Sequence, residues 1–217
     1  WDGLHSAEGD FAIRVVLTLV LDGDALRCTC AVANRSGHVV EEVQAPMLGG
    51  MTQREQPERW QMVHPTWEGT AQRWPVFTQI RGRYLGPACP DWILDHPGSA
   101  CLPWLDLCDD EGERGVACQY EDAQPRFGAW YAQLRPGADW AGDYYRWPDP
   151  QRIGALVGLS LGWTAFPHLA PGTEWRSGGD GVFHFHRGSW WAGARVLRAA
   201  FDRHLVCDHA DDRLVGE

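Results

Sequence analysis

Phe11, Ile13, Val15, Leu17, Leu19 and Leu21 put an apolar side chain at every second position. A period of two commits a segment to an extended strand with one face turned to a core. Asp22-Gly23-Asp24 supplies turn chemistry, and Leu26, Cys28, Cys30 and Val32 then resume the alternation. Residues 11–33 are therefore expected to form an antiparallel hairpin. Asn34-Arg35-Ser36-Gly37 is a second turn, and His38 to Val43 a third strand that ends at Pro46.

Further strands are expected at 75–85, 101–107, 114–121, 127–134, 153–163 and 180–187, separated by Pro, Gly and Asp. Residues 49–74 read as one long irregular stretch, which in a compact domain is functional or disordered. From Ser189 the pattern changes: Ala192, Val196, Leu197, Ala200 and Phe201 recur at helical spacing, with Ser189 as N-cap. Short strands closed by a single helix predict an all-β fold. It would be an antiparallel β-sandwich over residues 1–187, with residues 188–217 as a helix and a connector to a following domain. The chain begins at Trp1, without an initiator Met, and reads as part of a longer protein.

Charge narrows the partners. The 217 residues carry a formal net charge of −10, which argues against a nucleic-acid groove and an anionic membrane surface. No apolar run approaches the ~18 residues of a membrane span. Neither nucleic acid nor membrane is expected as a partner. Seven cysteines are an odd count without a regular framework, so free thiols in a reducing, cytoplasmic compartment fit better than a disulfide scaffold. Cys28 and Cys30 continue an apolar alternation and read as buried small hydrophobes.

Thirteen tryptophans are the strongest compositional signal. Flat indoles suit the apolar faces of sugar rings, and they also fill cores. His184 and His186 share one strand face, a geometry zinc can use, but no third ligand lies nearby. Asp109 to Glu111 read as an acidic turn, whereas Asp106 and Asp122 fall at or near the ends of apolar strands. The segment from His96 through Pro97-Gly98 and Ser99 turns the chain and delivers Trp104 to a strand. Trp104, Asp106 and Asp122 are thus the candidate carbohydrate contacts, by stacking and by hydroxyl hydrogen bonds. No catalytic residue, metal or cofactor is expected.

Several pieces, in this order, carry a resemblance. They are Ala33-Asn34-Arg35-Ser36 with Val43 to Gly49, His96 to Asp109, Gly115 to Asp122, and Phe183 to Ala194. Together they resemble the galactose-mutarotase-like β-sandwich (supersandwich) that precedes a (β/α)8 barrel in glycoside-hydrolase-like proteins. Ser189 stands where such proteins commonly carry Asp, and Leu197-Arg198-Ala199-Ala200-Phe201 replaces their usual helix ending.

The resemblance implies a non-catalytic module of a carbohydrate-active enzyme, the hydrolytic carboxylates lying on the barrel. Its partners would be a poly- or oligosaccharide and that intramolecular barrel. Two alternatives stand beside it. One is self-contained aldose-epimerase-like or glycoside hydrolase activity, for which a His/Glu pair such as His96 with Glu121, or His184 with Glu174, would be required. The other is a purely structural domain.

Overall fold

A computed structural model describes residues 1–52, 57–79, 91–109, 111, 113–124, 126–136 and 157–204. It is an all-β antiparallel sandwich with one long C-terminal helix. In chain order the strands are β1 (Asp2–Ser6), β2 (Gly9–Asp22), β3 (Ala25–Asn34), β4 (Val43–Thr52), β5 (Trp60–Pro65), β6 (Ala71–Pro75) and β7 (Asp91–His96). They continue with β8 (Trp104–Asp109), β9 (Arg114–Glu121), β10 (Gly128–Pro136), β11 (Val157–Ala165), β12 (Glu174–Arg176) and β13 (Asp180–Arg187). A four-residue helix α1 (Val76–Gln79) follows β6, and α2 (Trp190–His204) follows β13.

The larger sheet runs β1-β2-β3-β13-β9-β8-β5-β6, with β12 also paired to β3. The smaller runs β4-β11-β10-β7. Trp74, Trp92, Trp130, Trp163 and Phe183 are nearly or fully buried between the two layers, and most of the core comes from both inner faces. Indoles meet edge to face there: Trp130 and Trp163 have centroids 5.5 Å apart, and Trp74 and Trp92 5.6 Å. Such offset arrangements are favoured by the ring quadrupole beyond simple area burial.

The β2–β3 hairpin forms as its alternation requires, in continuous register from Ile13↔Asn34 to Asp22↔Ala25. Strands β9, β10, β11 and β13 overlap the expected segments. Three expectations are corrected. The third strand does not occupy 38–43; Val40 makes an isolated bridge to Leu169, and β4 starts at Val43 and continues through Pro46. Pro46 is tolerated because β4 is the edge of the smaller sheet and its pairing with β11 shifts register there. Residues 49–74 are not one irregular stretch, since they hold the end of β4, a 3-10 turn at Pro57–Arg59, and strands β5 and most of β6. The segment expected at 75–85 instead turns into α1 after Pro75, and residues 80–85 lie outside the described ones.

Helix α2 does not lead away from the sandwich. Trp190, Ala194 and Leu197 pack on Val63, Trp104 and Cys108, on the outer face of the larger sheet. Gly193 and Ala200 are buried on the same stripe. Ala192 and Val196, expected on the inward stripe, are half-buried flanks.

Candidate functional site

Two regions bear on function: the face covered by α2, and a cleft where that helix runs past the ends of β8 and β9.

Along β8, Leu105 and Leu107 face the sandwich core, whereas Trp104 and Cys108 face α2. Alternation puts Asp106 on the helix side as well. Its Oδ2 accepts a 2.8 Å bond from His186 Nε2, and the two side chains are 0% and 4% exposed. Both flanking glycines make room for this pair. A Cβ at Gly193 of the helix would fall on the Asp106 carboxylate, and one at Gly115 would lie 2.6 Å from the His186 ring.

This placement corrects two of the three expected sugar contacts. Trp104 is 3% exposed and Asp106 0%. The helix occupies the face that a sugar ring would need, so Trp104 packs against α2 and Asp106 anchors a buried imidazole. The tryptophan signal is corrected in the same sense. Trp74, Trp92, Trp104 and Trp130 are all 3% exposed or less and serve the core and the helix contact, while Trp163, 2% exposed, belongs to the core and also lines the cleft beside that helix.

Asp122 is placed differently. It closes the loop after β9: its Oδ1 accepts from the Gln124 backbone N–H at 2.9 Å and its Oδ2 from Arg126 at 2.8 Å. It also lines a cleft of about 240 Å³ between that loop, the segment before β8 and the last turns of α2. The floor is apolar and aromatic. Tyr120 and Trp163 stack with centroids 4.4 Å apart and planes 8° off parallel, and Leu197 and Phe201 close the helix side. The rim is polar, carrying His96, Gln119, Glu121 and Arg126.

The rim groups are held in place. Glu121 is 5% exposed and accepts from Arg27 at 2.8 Å, Gln119 at 2.5 Å and Arg203 at 3.2 Å. His96 Nδ1 lies 3.2 Å from the Ala100 carbonyl, so that nitrogen carries the proton if the bond is made. Burial pushes the Tyr120 hydroxyl upward, partly offset by the bond it accepts from the Gly179 N–H at 3.1 Å. A second, more polar hollow adjoins the first through Glu121 and Ala123, with Arg27, Arg203, Asp22 and Asp180 around it.

His96 and Glu121 thus come together on one cleft, as one of the two imagined acid–base pairs requires. The other pair does not form. Glu174 registers with Ala33 and His184 with Ala25, eight positions apart along β3, or about 26 Å at the ordinary strand rise. His184 and His186 do share a face, but His186 is engaged by Asp106, and no metal-holding group of His, Cys, Asp or Glu occurs among the described residues. Asp109 proves more than an acidic turn. It is 2% exposed and paired with Arg59 at 2.8 Å and Arg114 at 3.3 Å, while Asp110 lies outside the described residues.

Cys28 and Cys30 are buried free thiols, as their alternation predicts. Burial, with a smaller contribution from Asp180, pushes Cys28 up to about 11, and burial raises Cys30 as well. The cleft-lining roles of Tyr120, Trp163 and Phe201 left no signal in the sequence, because each reads as an ordinary core or helix-face position.

No protein-family profile matches the chain. No curated protein matches it significantly. Among solved structures it is similar to the Slr1438 protein from Synechocystis sp. PCC 6803, with 14% identity and a TM-score of 0.40. The similarity covers 82% of this chain and 56% of that one, so this chain spans little more than half the length of that neighbour.

Proposed function

We propose that this domain is a non-catalytic β-sandwich module of a carbohydrate-active protein, that its cleft takes a sugar unit, and that the sandwich supports a catalytic barrel in the same polypeptide. One observation carries the sugar reading. The cleft joins a buried Tyr120–Trp163 stack and Phe201 to a rim of Glu121, Asp122, His96 and Arg126. A pyranose has the matching chemistry, with C–H faces for aromatic rings and hydroxyls that both donate to carboxylates and accept from guanidinium groups. At about 240 Å³ the cleft lies below the ~300–1,000 Å³ of sites for drug-sized ligands and suits a single ring. The barrel rests on the resemblance of the ordered segments to supersandwich domains.

Isothermal titration with glucose, galactose, mannose and xylose tests the reading. One of these sugars is expected to bind at about millimolar Kd, near −4 kcal/mol. Asp122→Asn is expected to weaken it about ten-fold, since a hydrogen bond to a charged group contributes about 1.5–3 kcal/mol. Absence of heat across the panel, or unchanged binding in the variant, counts against the cleft.

A second reading is favoured by one feature, the presence of His96 and Glu121 on the same cleft. In it the domain interconverts sugar anomers by acid–base catalysis. Against it, Arg27, Gln119 and Arg203 already donate to Glu121, which makes this carboxylate an anchored acceptor. Polarimetry of fresh α-glucose and α-galactose decides: acceleration that Glu121→Gln abolishes would establish this reading over the first.

A further inference from the structure

We infer that the cleft is one end of a longer saccharide path whose second platform is the Trp67 indole, so that the preferred ligand is a linear oligosaccharide. This rests on the sugar-binding reading of the cleft. Trp67 is 72% exposed, like Trp1 at the start of the chain and unlike the buried tryptophans. Of the exposed tryptophans among the described residues, which include Trp191 at 59%, it alone sits on a loop bonded to the cleft wall. The backbone that carries it is held firmly. Trp67 sits in the five-residue loop, 66–70, between β5 and β6, where the Gly69 N–H donates to the Thr66 carbonyl at 3.0 Å and the Thr66 N–H to the Thr70 carbonyl at 2.7 Å. Gly69 takes the left-handed conformation, φ 76°, that completes a type I turn with a bulge. The threonine side chains staple the loop again, with their hydroxyl oxygens 2.9 Å apart.

The same loop is tied to the wall of the cleft. The Trp67 N–H donates to the Ser99 carbonyl at 3.1 Å. Ser99 in turn donates through its hydroxyl and its backbone to the Asp95 carboxylate, and the Ala100 N–H donates to the Asp95 carbonyl at 3.0 Å. Ala100 accepts from His96, and Cys101 lines the cleft. Ser99 and Cys101 are two residues apart, at most about 7 Å of chain. The loop that carries the exposed indole is therefore tied to the segment that lines the cleft, and Glu68, Asp95 and Ser99 lie on these two segments. An indole exposed on a loop tied to the cleft wall offers a second ring-stacking face next to the first.

The experiment compares wild type, Trp67→Ala and Trp67→Phe in titrations with glucose, galactose, mannose and xylose and with their linear trisaccharides. The trisaccharide is expected to bind at least ten-fold more tightly than its monosaccharide in wild type. Trp67→Ala should erase that excess while leaving monosaccharide affinity within two-fold, and Trp67→Phe should restore part of it. Circular dichroism confirms that the variants fold. Equal affinity for both ligand lengths in wild type, or an excess that survives Trp67→Ala, overturns the inference and leaves the cleft reading standing. A wild type that binds no sugar of either length overturns both.

Discussion

Gly193→Ala is the most telling single substitution, because two effects of opposite sign meet there. In a helix interior Ala is favoured over Gly by about 1 kcal/mol, so propensity alone predicts stabilisation. Gly193, however, faces the sheet. An added Cβ would fall on the Asp106 carboxylate and lie 3.1 Å from the Ala117 Cβ. Asp106 cannot swing aside cheaply, being 0% exposed and bonded to His186 at 2.8 Å. Overpacking a close contact costs about 1–3 kcal/mol. Straining the buried Asp106–His186 hydrogen bond adds about 1–3 kcal/mol. Offsetting the propensity gain of about 1 kcal/mol leaves a net destabilisation of about 1–5 kcal/mol. For a domain of this size that lowers Tm by about 2–4 °C per kcal/mol. Thermal and urea unfolding by circular dichroism read the sign directly, with Ala199→Gly on the exposed face as the propensity control. A Tm that rises by a few degrees in Gly193→Ala would show that the helix does not seat on the Asp106–His186 pair, and the account of that face would be wrong.

Other consequences follow from the same contacts. Trp163→Ala removes a 2%-exposed indole from between the sheets and should cost about 3–5 kcal/mol in urea unfolding, together with any sugar binding. The folded state holds the Cys28 proton up to about 11 against 9.0 for an ordinary thiol, with Cys30 and Cys118 shifted the same way by burial. A raised folded-state pKa stabilises fully below the unfolded value and is lost as pH rises through the folded one. The urea midpoint should therefore fall between pH 9 and 11, less steeply in Cys28→Ala; a flat profile contradicts this. At pH 8 a maleimide should modify exposed Cys101 in the folded protein while Cys28, Cys30, Cys108 and Cys118 stay unmodified by peptide mapping; modification of the buried four before unfolding would show that the core is open.

The sequence disclosed the fold where one face of an element meets the core and the other meets water or partial cover. Strand β3 alternates for that reason, as does β2 as far as Leu17, and α2 shows its stripe, whereas Leu19 and Leu21 keep the sequence alternation but stand exposed beyond the core. It concealed the elements covered on both sides. Every residue of β8 is buried, between the second sheet and α2, so its segment carried no period to show which side Trp104 and Asp106 take. β5 is buried from Met62 onward and was lost among Gln, Arg and Trp for the same reason. The cleft was legible only in Asp122, Glu121 and His96, whose chemistry is conspicuous. Its aromatic floor depends on β11 bringing Trp163 across the sandwich to Tyr120, a long-range pairing that no local pattern encodes.

Alkylation of Cys101 reports on the central claim at the cleft itself, since this exposed thiol lines it. Its rate with iodoacetamide is to be followed by mass spectrometry, with and without saturating saccharide. Occupancy of the cleft predicts slowing by several-fold, with no change in the urea-unfolded chain. A Cys101 rate that no mono- or oligosaccharide alters would contradict a sugar site here.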